Sequence, residues 1–286
     1  MAWKIIFTVL GLLVTGAAAR CSPGSSQKIT APTLNLTPCN VTDPTCDWHG
    51  YLNGPDTVIL DVNVGPGRGL DPSWVDLIKQ IRDQKKAGSS TITTILGGVG
   101  IGWALQGLGR AFFEVDVPHA KADIDKWNSW YKVDGIYFEQ VWPFNCSTAS
   151  DMATLVKYVR DHSKSPTGQR VTIFELGQNG PECYLKTTPS ADAFVTFQGE
   201  YSDYQSYVPA SYMKKYSAAR WYHQIGEVDP SKLTSVVRKS KANRAGQVFV
   251  TDLHFTYPHD AFGPLPGGNT TYWQNEVKQV ASSCMY

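Results

Sequence analysis

Short apolar runs alternate with stretches of helical spacing along most of this chain. Val58-Ile-Leu-Asp-Val-Asn63 is a largely apolar run that ends in polar residues, and Gly65-Pro-Gly-Arg-Gly69 follows it as a turn. Asp71 then stands where a helix N-cap would, with Pro72 at the first helical position. Val75, Ile78 and Ile81 or Arg82 keep helical spacing, and Gly88 closes the helix. The alternation recurs. Further strands are predicted over Thr91 to Leu96, Gly135 to Glu139, Val171 to Glu175, Ala193 to Gln198, Arg220 to Gln224 and Gln247 to Asp252. Helices are predicted over Ala120 to Tyr131, Ala149 to His162, Ser231 to Lys241 and Thr271 to Ser282.

Apolar strands separated by helices imply a parallel sheet in an α/β fold. Seven strands are visible, and a segment near Ile29 to Leu34 supplies a candidate eighth. The length fits a single (β/α)8 TIM-like barrel, with an open doubly-wound sheet as the competing architecture. Gly97-Gly-Val-Gly-Ile-Gly102 follows a strand, but its spacing is not that of a dinucleotide loop. It is expected to be a flexible glycine-rich connection.

The N-terminus changes the picture. Lys4, the apolar stretch Ile5 to Val14 and Ala17-Ala18-Ala19 have the order of a signal peptide. The division expected is therefore a signal peptide at 1–19, a Ser/Thr/Pro-rich extension pinned by disulfides at 20–50, and the barrel domain at 51–286. Six cysteines follow the cleavage site, namely Cys21, Cys39, Cys46, Cys146, Cys183 and Cys284. An even number without any CxxC pair favours disulfides over metal or redox roles. Connectivity stays open, although Cys39 and Cys46 are close enough to close a small loop. Asn35, Asn40, Asn145 and Asn269 head N-x-[ST] sequons, which agrees with secretion. No later segment is long and apolar enough to span a membrane. The net charge of +1 carries no long run of one sign and gives no basis for a nucleic-acid partner.

A barrel carries its chemistry at the C-terminal ends of its strands. Those ends hold Asp61 and Asn63, Glu139 and Gln140, Glu175, Gln198 and Glu200, His223, then Thr251 and Asp252. Strand ends meet solvent in any case, so position alone is a fold-level hint. No nucleophile elbow, phosphate loop or HExxH motif is present, and no cofactor is expected. His254 and His259 lack a third ligand at metal-binding spacing, so no metal is expected either. Nine tryptophans, fourteen tyrosines and eleven phenylalanines suit a well-filled core or a sugar-stacking groove. A carboxylate-rich rim with aromatic residues such as Trp142 and Tyr201 suits glycosidic bond hydrolysis, which needs one carboxylic acid and a second group to stabilise or attack the anomeric carbon.

At these residues the chain resembles the spherulin-4-like (spherulation-specific) proteins. Val58-Ile-Leu-Asp-Val-Asn-Val-Gly-Pro-Gly67 is similar to their V-I-I-N-P-N-S-G-P-G. Asp123-Ile-Asp-Lys-Trp-Asn-Ser-Trp130 with Val133-Asp-Gly-Ile-Tyr-Phe138 is similar to D-I-x-x-Y/W-x-x-W…V-D-G-I-F-F. Phe197 through Tyr204 is similar to F-E-x-x-Y-x-x-Y, and His223 and Thr251-Asp252 fall at its strand-end His and T-D pair. The likeness runs from about Thr57 to Trp273. It implies a (β/α)8 barrel and an endo-acting hydrolase of galactosamine-containing fungal cell-wall polysaccharide. The chain departs from the pattern at the acids. The D-E pair is Glu139-Gln140 here, the F-E carboxylate is Gln198, and the N-P-G strand end is Glu175-Leu-Gly177. Glutamine keeps shape and hydrogen bonding but holds no proton to give.

Three readings follow from different classes. One is a secreted glycoside hydrolase with Glu139 as catalytic carboxylate and Glu175, Glu200 or Asp252 as partner, and Asp61, Asn63, Gln140, Trp142, Gln198, Tyr201, His223 and Asp252 along the substrate groove. Another is a carbohydrate-binding protein that kept the groove without the acids. A structural or interaction protein with no glycan ligand is the third.

Overall fold

The computed structural model describes residues 26–63, 65–101, 115–141, 145–255 and 271–282. Eight parallel strands close into a barrel in chain order: β1 (Lys28–Pro32), β2 (Thr57–Leu60), β3 (Thr94–Gly100), β4 (Gly135–Glu139), β5 (Val171–Glu175), β6 (Ala193–Glu200), β7 (Trp221–Gly226) and β8 (Gln247–Val250). The open-sheet alternative is excluded because β1 pairs with both β2 and β8. That first strand lies inside the segment expected to be an extension, so the division at residue 50 does not separate two structural units.

The long helices cover the barrel for the reason their patterning suggests. In α2 (Pro72–Lys86) the Asp71 side chain accepts from the Ser73 amide, and Trp74, Leu77, Ile78 and Ile81 form one buried stripe. In α4 (Ala149–His162) Met152, Leu155, Val156 and Val159 do the same, as do Leu233, Val236 and Val237 in α7 (Leu233–Ala242). The outer shell is completed by α3 (Val117–Lys126), which continues as a π-helical turn through Tyr131, and by α8 (Thr271–Ala281). Shorter turns α1 (Asp47–Tyr51), α5 (Cys183–Lys186) and α6 (Tyr201–Tyr204) sit between them.

Two disulfides are described. Cys39 pairs with Cys46 just before α1, and Cys146 ties the chain ahead of α4 to the start of α5. Cys21, Cys284, Asn269, His259, Trp142 and the expected signal peptide lie outside the described residues. Asn35, Asn40 and Asn145 are exposed. No helix among the described residues is long and apolar enough to cross a membrane.

The glycine run expected as a loop is strand up to Gly100. A β-carbon on Gly97 would lie 2.3 Å from the Trp127 indole, which covers β3 from outside and donates to the Gly98 carbonyl at 2.8 Å. A β-carbon on Gly98 would lie 2.3 Å from Glu139 Oε1, on the inner face. Packing on both faces, not intrinsic strand preference, selects glycine here.

Gly97→Ala is therefore expected to destabilise the protein by about 1–3 kcal/mol in chemical denaturation. Gly69→Ala, where an added β-carbon meets nothing within 4 Å, is expected to stay within about 0.5 kcal/mol of the parent.

Candidate functional site

Side chains alternate across each strand, so Tyr137 and Glu139 of β4 share the inner face. The bulge in β6 between Val195 and Phe197 keeps Gln198 level with Gln224 of β7. These positions meet Glu175, the last residue of β5. Glu175 Oε1 accepts from the Tyr137 hydroxyl at 2.9 Å and from Gln198 Nε2 at 2.7 Å. Its Oε2 accepts from the Gln140 amide at 2.8 Å, for which Gln140 takes a left-handed φ of 56°. Gln198 Nε2 also donates to Gln224 Oε1 at 2.9 Å, and Gln224 Nε2 donates to the Tyr137 hydroxyl at 3.3 Å. Four side chains from four consecutive strands thus close a ring of hydrogen bonds, and two of its donors, Tyr137 and Gln198, converge on Glu175. A buried polar network of this kind fixes side-chain positions because each member satisfies the next.

Glu139 lies beside this ring. Its Oε1 is buried over Gly98 with no hydrogen-bond partner among the described residues. Burial pushes its carboxyl well above the ordinary carboxylate range, and the nearby Asp61 and Glu175 carboxylates push it further. Asp61 follows β2 and accepts from the Gly65 amide at 2.6 Å. Burial raises it to about 6, against the lowering effect of amides at Gly65 and Asn63. Three carboxyl groups from β2, β4 and β5 therefore share one end of the barrel, and two of them hold protons more tightly than exposed acids do.

The remaining expected site residues divide by place. Gln140 and Gln198 are partly buried at the ring, Asn63 is exposed beyond β2, and Tyr201 packs partly buried at the start of α6. Asp252 is exposed after β8, where its charge acts on Tyr272 of α8. Glu200 turns toward β8, its Oε1 accepting from the Phe255 amide at 2.6 Å. It is absent from the charges that act on Glu139, which are Asp61 and Glu175. His223 stands on the helix side of β7, because Gln224 beside it takes the interior. It is fully buried among Phe197, Tyr204 and Tyr207, with Nδ1 bonded to the Tyr204 hydroxyl at 2.9 Å. Burial lowers its pKa to about 3, so it packs as a neutral ring. Tyr137 and Gln224 were not among the sequence candidates. Their signal is a polar side chain inside a strand that is otherwise apolar, since a buried polar group needs a partner.

His254, set aside for want of a third ligand, lies against Glu227 and Glu200. Sequence spacing hides this cluster because its members end three different strands.

Asp61 gives a pH test. Its folded-state value of about 6 exceeds the ordinary 3.8, so the folded chain binds more protons between those values and loses stability as pH rises through them. Asp61→Asn, whose Oδ1 still accepts from Gly65, removes that loss. The variant is expected to match the parent near pH 4 and to exceed it by about 1–2 kcal/mol above pH 6, read from denaturation midpoints.

The family model for spherulation-specific family 4 matches residues 50–280. No curated protein matches the chain. Among solved structures, Aspergillus clavatus Sph3 in complex with GalNAc superposes with a TM-score of 0.64 at 20% identity, covering 91% of this chain and 99% of that one. A chitinase from Rhizomucor miehei gives 0.49 at 11% identity, covering 82% of this chain and 98% of that one. A chitinase from Bacteroides thetaiotaomicron gives 0.47 at 11% identity, covering 90% and 97%. At 20% identity the likeness to Sph3 is one of fold. The family match spans most of the chain and includes seven of the eight barrel strands, so the protein belongs to spherulation-specific family 4.

Proposed function

We propose that this chain is a secreted hydrolase of glycosidic bonds in amino-sugar-containing, galactosamine-type cell-wall polysaccharide, with Glu139 as proton donor. The observation that carries the proposal is the Glu139 carboxyl, buried over Gly98 and acted on by Asp61 and Glu175. Glycosidic cleavage needs an acid that still holds its proton at the working pH, close to a second carboxylate. Burial and like charge supply that condition. Glu139 gives its proton to the leaving oxygen as the anomeric C–O bond breaks. Glu175, immobilised by its three donors, stabilises the positive charge that develops at the anomeric carbon. Water adds there, and its proton passes to Asp61, whose value near 6 suits a base. Asn63, Gln140, Tyr201, Trp142 and Asp252 are the proposed contacts to the sugar chain, and Gln198 positions Glu175.

Family membership and the shared fold with a protein solved with GalNAc support the amino-sugar class. Two described disulfides and three exposed sequons support an oxidising, glycosylating compartment. The carbohydrate-binding reading has one observation in its favour, the neutral amides at Gln140 and Gln198. Gln198 has a task beside an acid, since its side-chain amide donates to Glu175, whereas Gln140 reaches Glu175 through its backbone N–H, which any residue there would supply.

Incubation with galactosamine-rich fungal wall polysaccharide is expected to release reducing ends. Glu139→Gln is expected to lower that rate by about 100- to 10,000-fold while pull-down of the polysaccharide persists. Unchanged cleavage in Glu139→Gln would remove Glu139 from the role. Binding without cleavage by the parent would leave the carbohydrate-binding reading in its place.

Gln198→Glu restores the family acid but sets a carboxylate against Glu175, where an amide now donates across 2.7 Å. This single change is expected to lower activity. Adding Glu175→Gln reverses donor and acceptor and is expected to recover the thermal stability lost in the single variant, though not activity, since the carboxylate assigned to the anomeric charge is gone. Equal loss of stability in the single and double variants would show that these positions do not act as a pair.

A further inference from the structure

A second polar cluster occupies the same rim, toward β6, β7 and β8. Glu200 ends β6, Glu227 directly follows β7, and His254 lies in the turn after β8. Each offers a ligand atom, and the three atoms lie within 4.8 Å of one another. The chain holds them there through its backbone. The Glu227 amide donates to the Leu253 carbonyl at 2.9 Å and the Val228 amide to the Thr251 carbonyl at 3.0 Å, which ties the turn carrying Glu227 to the turn carrying His254. Glu200 is anchored to that same turn by the Phe255 amide. Gly226 leaves the space between them, since a β-carbon there would stand 3.0 Å from Glu200 Oε2 and 2.5 Å from the Phe255 ring.

The cluster has the form of a bowl. Glu200 is 9% exposed and forms its floor. The side chains of His254 and Glu227 are 57% and 40% exposed and form its wall, with His254 Nδ1 directly against Glu227 Oε1. One imidazole with two carboxylates is a donor set for a borderline divalent ion, and the open side leaves coordination positions for water. Ligand atoms around a tetrahedral zinc ion stand about 3.4 Å apart, given bonds of about 2.1 Å. The three atoms lie within 4.8 Å of one another, so a shift of about an ångström in the two exposed side chains reaches that value, opening the His254–Glu227 contact to admit the ion.

We propose that Glu200, Glu227 and His254 form a binding site for a divalent transition-metal ion of the zinc type, which pins the ends of β6, β7 and β8 together. This site is separate from the Glu139 chemistry and does not depend on the proposed hydrolase activity. Its place between three strand ends gives it a structural task, in which the ion joins turns otherwise held by backbone hydrogen bonds.

The test uses the full secreted chain, stripped with a chelator and dialysed, then titrated with zinc chloride by calorimetry and followed by thermal melting. One zinc ion per chain is expected, with a melting temperature that rises with zinc concentration. His254→Ala and Glu227→Gln change exposed side chains and are each expected to weaken this binding more than about tenfold. His119→Ala, on α3, is expected to bind as the parent does. Absence of zinc binding in the parent, or equal affinity and stoichiometry in His254→Ala and Glu227→Gln, would overturn the proposal. In that case the cluster is an ion pair between His254 and Glu227 beside a structural Glu200.

Discussion

The candidate site depends on the bare stretch of β3. Gly97 lets the Trp127 indole lie on the sheet from outside, and Gly98 lets the Glu139 carboxyl fold over it from inside. Any side chain at either position would displace one of the two. The indole in turn donates to the Gly98 carbonyl, so the outer packing fixes the strand that the inner carboxyl rests on. Close packing of this kind makes the position of Glu139 a consequence of the core and not of a mobile loop.

The electrostatics follow from that placement. A carboxyl buried over a glycine has lost water on one side, and Asp61 and Glu175 stand where their charge opposes its ionisation. Glu175 is the counterweight, because Tyr137, Gln198 and the Gln140 amide all donate to it. Of the two glutamines that replace family acids, Gln198 is thus a side-chain donor to an acid on the neighbouring strand, and Gln140 donates to it only through its backbone.

Much of the frame was legible in the chain. The Asp71-Pro72 start of α2 and its apolar stripe follow from capping and periodicity, and the strand ends placed Asp61, Glu139 and Glu175 on one rim. Other features were hidden for physical reasons. Gly97 to Gly100 reads as a loop because glycine has no strand preference, and only Trp127 and Glu139, distant in sequence, make it a strand. His223 was expected in the groove, but β7 is buried on both faces and shows no alternation to reveal which face each residue takes. The partners of His254 were invisible for a related reason, since barrel closure and not local spacing brings three strand ends together. Tyr137 and Gln224 are polar groups inside apolar runs, where the signal is a single polar position that burial usually pairs with another.

The central claim is that burial and the charges of Asp61 and Glu175 hold the Glu139 carboxyl well above the ordinary carboxylate range. Infrared difference spectroscopy of the carboxyl stretch tests it directly, with Glu139→Gln assigning the band. A protonated Glu139 band is expected to persist well above the pH at which exposed carboxyls ionise, and to titrate at lower pH in Asp61→Asn. A Glu139 that ionises together with the exposed carboxyls, or whose titration is untouched by Asp61→Asn, would contradict the account.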